Sequence, residues 1–480
     1  MPEWKLLFRE ALTIFNILLA SYFILGNGIY TVLMLMSLIS VWLHNRRLVY
    51  EGLDQLSRSV TPPVTVILPA HDEQKGIVAA VRSALRTEYP NLEIVVIDDG
   101  STDETLKRLV DAFALVRMDY IYRPQLRARG VVGFYFNPEF PHLLVVSKEN
   151  GGKPDALNVG INICRTPYFC TLDADCVLER NALLRLMRPV ITSPLNLVAS
   201  GGIIRILNGC KVQDGQVVEV ALPGTGLECF QVVEYLRSFL FGRTGWDLLG
   251  GTVIVSGAFA VFHRETVVEA GGFSLDTVTE DMDLIVRMRR WAVDHKHSIR
   301  TSFTSDPVCW AECPASLRML ARQRRRWQLG LCQTLWKNSR VLFNPKYGVV
   351  GILSFPFQLY VEALGAAVEF LGYMIMPFTL MLDTSLTAMY VAFVVLGLAY
   401  AAFLSVGSVV LEELTHRRYP TRRDLRILLG YALLENFGYR QLLLFFRFQG
   451  VLWFLTGFRR WEKVVHLGAE GYARESEFVS

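Results

Sequence analysis

The stretch from Val64 to Ser101, VTVILPAHDEQKGIVAAVRSALRTEYPNLEIVVIDDGS, decides the fold class of this 480-residue chain. Two short β-rich runs, Val64 to Leu68 and Leu92 to Ile97, enclose a segment from Ile77 to Leu85 whose apolar residues recur at helical spacing. Helical spacing returns from Leu106 to Phe113. Strand, helix, strand, helix in this order predicts βαβ units and a mostly parallel sheet. In such sheets ligands gather beyond the carboxyl ends of the strands. The first run ends at Pro69-Ala70-His71-Asp72-Glu73 and the second at Asp98-Asp99-Gly100-Ser101, so acidic groups stand where a ligand would.

The same logic carries downstream. The apolar run Tyr168 to Leu172 ends at Asp173-Ala174-Asp175. Two carboxylates one residue apart make a hard oxygen site, able to hold Mg²⁺ or Mn²⁺ with positions open for phosphates. A strand-end turn accounts for the triplet equally well when it is taken alone. Glu149-Asn150-Gly151-Gly152-Lys153 joins a strand to a helix, where the glycines permit close backbone approach and Lys153 could meet a phosphate. Thr279-Glu280-Asp281 opens a helical stretch and reads as an N-cap with acids on the dipole, or as a site with Asp281 as general base. At Asp98 to Glu104 the local pattern predicts a helix near Thr102, capped by Ser101 or Thr102. Gln323-Arg324-Arg325-Arg326-Trp327 falls on a helix predicted over 316–338. That helix reads as an amphipathic interfacial one, with Arg326 suited to clamp a diphosphate and Trp327 to stack on a sugar.

Bulk composition sets the surroundings. Apolar residues make up 52% of the chain and the mean hydropathy is +0.31, which calls for membrane segments. Forty-nine basic against 45 acidic residues leave +4, no basis for nucleic-acid binding. Eight scattered cysteines form no Cys-x-x-Cys pair and read as reduced thiols. Ala11 to Leu43 is uncharged and apolar, and reads as one membrane span rather than a cleavable signal peptide. Arg46 and Arg47 follow it and place the next domain in the cytoplasm. Gly348 to Leu382 and Ser385 to Leu411 are two further apolar tracts, and the basic loop 416–423 returns the chain to the cytoplasm. Leu428 to Phe458, interrupted by Glu435, Arg440 and Arg447, reads as a hairpin, a re-entrant pair or an interfacial helix. Leu207 to Pro223 carries the hairpin turns Asn208-Gly209 and Asp214-Gly215. Glu362 and Glu369 share a helix face, where they either border a polar cavity, such as a polymer channel, or make helix-to-helix hydrogen bonds or headgroup contacts.

Taken together, Asp-Asp-Gly, Asn-Gly-Gly-Lys, Asp-Ala-Asp, Thr-Glu-Asp and Gln-Arg-Arg-Arg-Trp, in that order, resemble the membrane-integrated family 2 glycosyltransferases. The similarity is to the bacterial poly-N-acetylglucosamine, hyaluronan and cellulose synthases. It is greatest to the first, with Val255-Ser256-Gly257-Ala258-Phe259 and Gly271-Gly272-Phe273 in the matching places. The resemblance implies an α/β GT-A domain at 60–310 after a transmembrane segment at 1–47. Interfacial helices at 311–345, a transmembrane region at 346–465 and a cytosolic tail at 466–480 would follow. It implies Ala70, Glu73, Asp99, Lys153, Asp173, Gln323 and Arg326 on a UDP-sugar donor, with Asp99 at the base and Asp175 on Mg²⁺ or Mn²⁺. Asp281 would be the catalytic base, and Glu280 and Trp327 would hold the acceptor, a growing polysaccharide or a glycolipid. Pro69 to Glu73 departs from the family, which commonly shows an aromatic residue and Asn before Glu. The implied activity is processive, inverting synthesis of an exopolysaccharide of the biofilm type by an inner-membrane protein with membrane lipid around it. Transfer of one sugar to a lipid, or a catalytically silent receptor or assembly subunit, are the alternatives. No cyclic-dinucleotide domain is visible, so any such regulation would have to come from a partner; accessory export or regulatory subunits are candidate partners.

Overall fold

The computed structural model describes residues 3–50, 61–192, 196–382, 387–419 and 421–457; the expected tail at 466–480 lies outside them. The strands are β1 (Val64–Ala70), β2 (Leu92–Asp99), β3 (Val116–Met118), β4 (Val131–Phe136), β5 (Leu143–Lys148) and β6 (Tyr168–Leu172). They continue with β7 (Val177–Leu178), β8 (Leu197–Ile206), β9 (Lys211–Gln213), β10 (Gln216–Glu219), β11 (Phe259–His263) and β12 (Arg300–Ala311). Ten of these form one sheet in the order β3-β4-β5-β2-β1-β6-β11-β8-β12-β7. β5, β2, β1 and β6 run parallel, as do β8 and β12, while β11 is antiparallel to both its neighbours. Ala70 pairs with Asp98 and Ile67 with Thr171, so three adjacent strands end together and present their acidic loops at one edge.

Both faces of the parallel strands are buried, which explains their near-continuous apolar runs. Val64, Val66 and Leu68 pack with Ile77 and Val81 of the helix Ile77–Leu85 on one side. Ile67 packs with Ala156, Leu157 and Val159 of the helix Lys153–Ile163 on the other. Gly160 allows that second helix to touch the sheet, for a β-carbon there would lie 2.4 Å from Ile67 Cγ2. The predicted hairpin is β9–β10, with Asp214 at φ 52° and Gly215 at φ 75° in its turn. The antiparallel extension β3–β4 has no counterpart in the sequence reading. All eight cysteines are buried free thiols.

Glu3–Tyr50 is one continuous helix through Gly26-Asn27-Gly28. Among the described residues three helices are long and apolar enough to cross a membrane: Glu10–Leu43, Val350–Met381 and Tyr390–Thr415. The second starts with π-helical turns at Val350–Ser354 and Gln358–Ala363, where carbonyls are freed from the usual ladder. The tract whose form the sequence left open is a pair of helices, Arg422–Leu434 and Tyr439–Leu455, that break at Gly438, φ 100°. Tyr439–Leu455 packs along the helix Leu317–Lys337, with Gly450 against Gln328.

Candidate active site

Every site residue expected from the sequence lines a single cavity of about 1410 Å³: Ala70, Glu73, Asp99, Lys153, Asp173, Asp175, Glu280, Asp281, Gln323, Arg326 and Trp327. The ends of parallel strands and the loops after them supply Ala70, Glu73, Asp99, Asp173 and Asp175; helix starts supply Lys153, Glu280 and Asp281; and the body of Leu317–Lys337 supplies Gln323, Arg326 and Trp327. Leu317–Lys337 begins one residue after its predicted start, with Ser316 Oγ accepting from the Met319 amide at 3.3 Å.

At the end of β2 the structure corrects the capping expectation. The helix begins at Thr105, and Asp103 Oδ1 accepts from the Thr105 amide at 2.9 Å. Ser101 Oγ instead accepts from the Asp72 amide at 3.0 Å, and the Thr102 amide donates to Asp72 Oδ1 at 2.7 Å. Ser101 and Thr102 thus tie this loop to the Pro69-to-Glu73 wall, and a tertiary partner displaces the local cap. Thr279 does occupy the N-cap position of Glu280–Asp294, but it makes no side-chain cap and its hydroxyl pairs with Thr334 Oγ1 at 3.2 Å.

Asp99 is buried and heavily engaged. Its Oδ1 takes Lys148 Nζ at 2.5 Å and the Gly151 amide at 2.9 Å, and Oδ2 takes the Gly152 amide at 2.7 Å. Lys148, fully buried, also pairs with Asp155 at 2.7 Å. This Asp99–Lys148–Asp155 brace fixes the Gly151-Gly152 turn from which Lys153 projects. Sequence reasoning missed it, although Lys148 and Asp155 flank the Asn-Gly-Gly-Lys motif. Beside Asp99, the His71 ring nitrogen Nδ1 lies 3.0 Å from the Asp99 carbonyl and 3.1 Å from Asn150 Nδ2.

Lys153 Nζ meets Asp173 Oδ1 at 2.5 Å and Glu280 Oε1 at 3.7 Å. Burial pulls the lysine down, but Asp173 and then Glu280 outweigh it, and the ammonium is held above its usual range. Burial pushes the Asp173 and Glu280 carboxyls up, and Lys153 draws both back. Asp281 is fixed by backbone: its Oδ2 accepts from the Gly257 amide at 2.9 Å, and Oδ1 from the Met282 amide at 2.9 Å. Gly257 belongs to the Val-Ser-Gly-Ala-Phe stretch, to which the sequence reading gave no role. Trp327 carries the Arg324 guanidinium at 4.3 Å from its ring centroid, and Arg324 in turn donates to Glu234 at 2.9 Å.

The described residues hold no group of three or more His, Cys, Asp or Glu side chains able to ligate a metal. The donor set nevertheless fits a divalent ion that shares its coordination with a substrate: Asp173 and Asp175 offer carboxylate oxygens on the cavity wall, and diphosphate oxygens would complete the shell.

Residues 65–265 match the family model described as Glycosyl transferase family 2, and residues 168–406 that of Glycosyl transferase family group 2. A poly-beta-1,6-N-acetyl-D-glucosamine synthase of Staphylococcus aureus (strain COL) is 27% identical over 267 residues, 56% of this chain and 54% of that protein. Its counterpart in Staphylococcus epidermidis is 26% identical over the same length. The match thus takes in about half the length of these curated relatives. Among solved structures, a mannosyltransferase from Pyrobaculum calidifontis in complex with GDP-Man and Mn²⁺ aligns with TM-score 0.48 and 18% identity, covering 90% of this chain and 100% of that one. A glucosyl-3-phosphoglycerate synthase from Mycobacterium tuberculosis with Mn²⁺, UDP and phosphoglyceric acid aligns with TM-score 0.35 and 17% identity, covering 59% of this chain and 82% of that one. The mixed, mostly parallel sheet with its acidic carboxyl edge is of the GT-A kind. Between them the two family models run from residue 65 to residue 406, and the chain is a glycosyltransferase that belongs to family 2.

Proposed function

We propose that the protein is a processive, inverting polysaccharide synthase that draws on a UDP-sugar and passes its product between its own membrane helices. The observation that carries this reading is the continuity of one cavity. It runs from Asp173, Asp175 and Asp281 past Trp327 to Tyr30, Glu362, Glu369, Tyr373, Phe393 and Tyr400, all on helices long and apolar enough to cross a membrane. A single-sugar transferase has no need of a site that continues among such helices.

In this reading Lys153 and Arg326 hold the donor diphosphate, and Asp175 with Asp173 would hold Mg²⁺ or Mn²⁺, which would neutralise the leaving group. Asp281 takes the proton from an acceptor hydroxyl as the new bond to the anomeric carbon forms and the bond to the diphosphate breaks, releasing UDP. One displacement inverts the anomeric centre and gives a β-linkage from an α-linked donor. The Gly257 amide keeps Asp281 oriented, and Glu280 and Trp327 bound the acceptor end. Asp99 is assigned the brace beneath the nucleotide, while His71 and Glu73 form the wall beside the base. Positive flanks at Arg46, Arg47 and 416–423 support a cytoplasmic catalytic domain.

The test uses the full chain reconstituted in liposomes with a panel of UDP-sugars, measuring UDP release and product length with and without Mn²⁺ or Mg²⁺. Long products, metal dependence and a loss of about 10²–10⁴-fold in Asp281→Asn are expected. A product of one sugar on lipid overturns processivity, and no UDP release from any donor overturns the enzyme reading.

A further inference from the structure

Arg243 closes the π-helical turn Arg237–Arg243 and lines the cavity, yet no carboxylate among the described residues pairs with it. Other cations on the same wall are matched: Lys153 with Asp173, Arg324 with Glu234, Arg237 with Glu435 and Arg447 with Glu362. The Arg243 guanidinium lies 4.0 Å from the Phe239 ring centroid, and its Nη1 is buried without a hydrogen-bond partner. Leaving a buried guanidinium donor unmade is costly, so the arrangement is that of a site awaiting acceptor atoms from a ligand. We propose that Arg243 binds the terminal sugar of the growing chain, donating from its unfilled edge to a hydroxyl or amide-carbonyl oxygen of that sugar.

Position selects this ligand over the donor diphosphate. Lys153 and its partner Asp173 form the donor side, whereas Arg243 lines the cavity with Asp281, the carboxylate that acts most strongly on it. Burial pushes the Arg243 guanidinium down to about 10, which still leaves it charged at neutral pH. The segment bearing Arg243 packs on the first membrane helix, where Gly245 meets the backbone of Leu33, and the cavity wall continues through Trp246. A general base must face the acceptor hydroxyl, so an unfilled hydrogen-bond donor on the same cavity, carried by the segment that packs on the membrane helix, is placed to meet the acceptor.

This inference rests on the synthase reading, and wild-type turnover settles that reading first. With the donor that the wild type uses, a β-1,6-linked N-acetylglucosamine pentasaccharide serves as acceptor probe for the full chain in nanodiscs. Arg243→Gln keeps the aliphatic stem over Phe239 and removes the charge. It is expected to raise the acceptor KM about tenfold or more, and Arg243→Lys to recover most of that loss. UDP–Mn²⁺ affinity by calorimetry is expected to stay within about twofold, since an acceptor contact leaves nucleotide binding alone. An unchanged acceptor KM in Arg243→Gln overturns the proposal. So does a fall in UDP affinity with the acceptor KM unmoved, which would put the guanidinium on the donor.

Discussion

Asp99→Asn separates two jobs for one carboxylate. Asn keeps the shape but loses the charge, and turns one acceptor into a donor. Asp99 accepts from Lys148 Nζ and the Gly151 amide on one oxygen and from the Gly152 amide on the other, with its side chain and that of Lys148 almost wholly buried. Either the lysine or a glycine amide must then face an NH₂ group. Removing one partner of a buried ion pair costs about 3–5 kcal/mol. Asp155 remains on Lys148 at 2.7 Å, which places the cost near the lower end, about 3 kcal/mol. For a folding unit of this size that is a fall in Tm of about 6–12 °C. The Gly151-Gly152 turn would loosen too, and with it the position of Lys153, so UDP affinity should fall alongside stability. Thermal unfolding of the solubilised full chain, paired with calorimetric UDP binding, reads both, and Asp155→Asn should move both in the same direction. If Asp99→Asn melts within about 2 °C of wild type while UDP affinity collapses, Asp99 serves the nucleotide directly and the brace is refuted.

Three further outcomes follow from the same geometry. A β-carbon on Gly257 would lie 3.3 Å from Asp281 Oδ2, so Gly257→Ala should displace the base by a few tenths of an ångström. About a tenfold loss of kcat with UDP affinity intact is expected, and wild-type kcat would show that Asp281 tolerates the shift. Burial raises the part-buried Asp247 carboxyl from 3.8 to about 6, so folding favours its protonated form. That contribution is complete below pH 3.8 and is lost as pH rises through 6, up to about 3 kcal/mol in all. Asp247→Asn, which can still accept from the Phe303 amide, should flatten stability between pH 4 and 6 in chemical denaturation; an unaltered pH profile would contradict this. Glu362 accepts from Tyr30 at 2.5 Å and from Arg447 at 3.0 Å on the membrane side of the cavity. Glu362→Gln takes the counter-charge from Arg447 and should shorten the exported product in sealed vesicles, whereas unchanged length and export would remove Glu362 from the channel wall.

Local pattern was a sound guide wherever one element decides the outcome. The runs at Val64 and Leu92 became neighbouring parallel strands because their apolar faces are buried on both sides, and the helix expected over 316–338 forms at Leu317–Lys337. The acidic motifs then converged for a topological reason: parallel strands that pair Ala70 with Asp98 must deliver their carboxyl ends to one edge. What the sequence could not display are choices made between elements. Ser101 has the chemistry of a cap, but Asp72, facing it across the strand ends, takes it instead. Lys148 reads as the last residue of a strand, and only the fold turns it inward between Asp99 and Asp155. Arg243 belongs to no motif, since a π-turn leaves no periodic signature and a missing counter-ion cannot be seen in one dimension. These three cases share a cause. A side chain's role in this site is set by which charges the fold leaves beside it, so the residues that carry the motifs report where the chemistry is. In the proposed synthase their unheralded partners, Lys148 beneath the nucleotide side and Arg243 beyond the base, would determine how firmly each substrate is held.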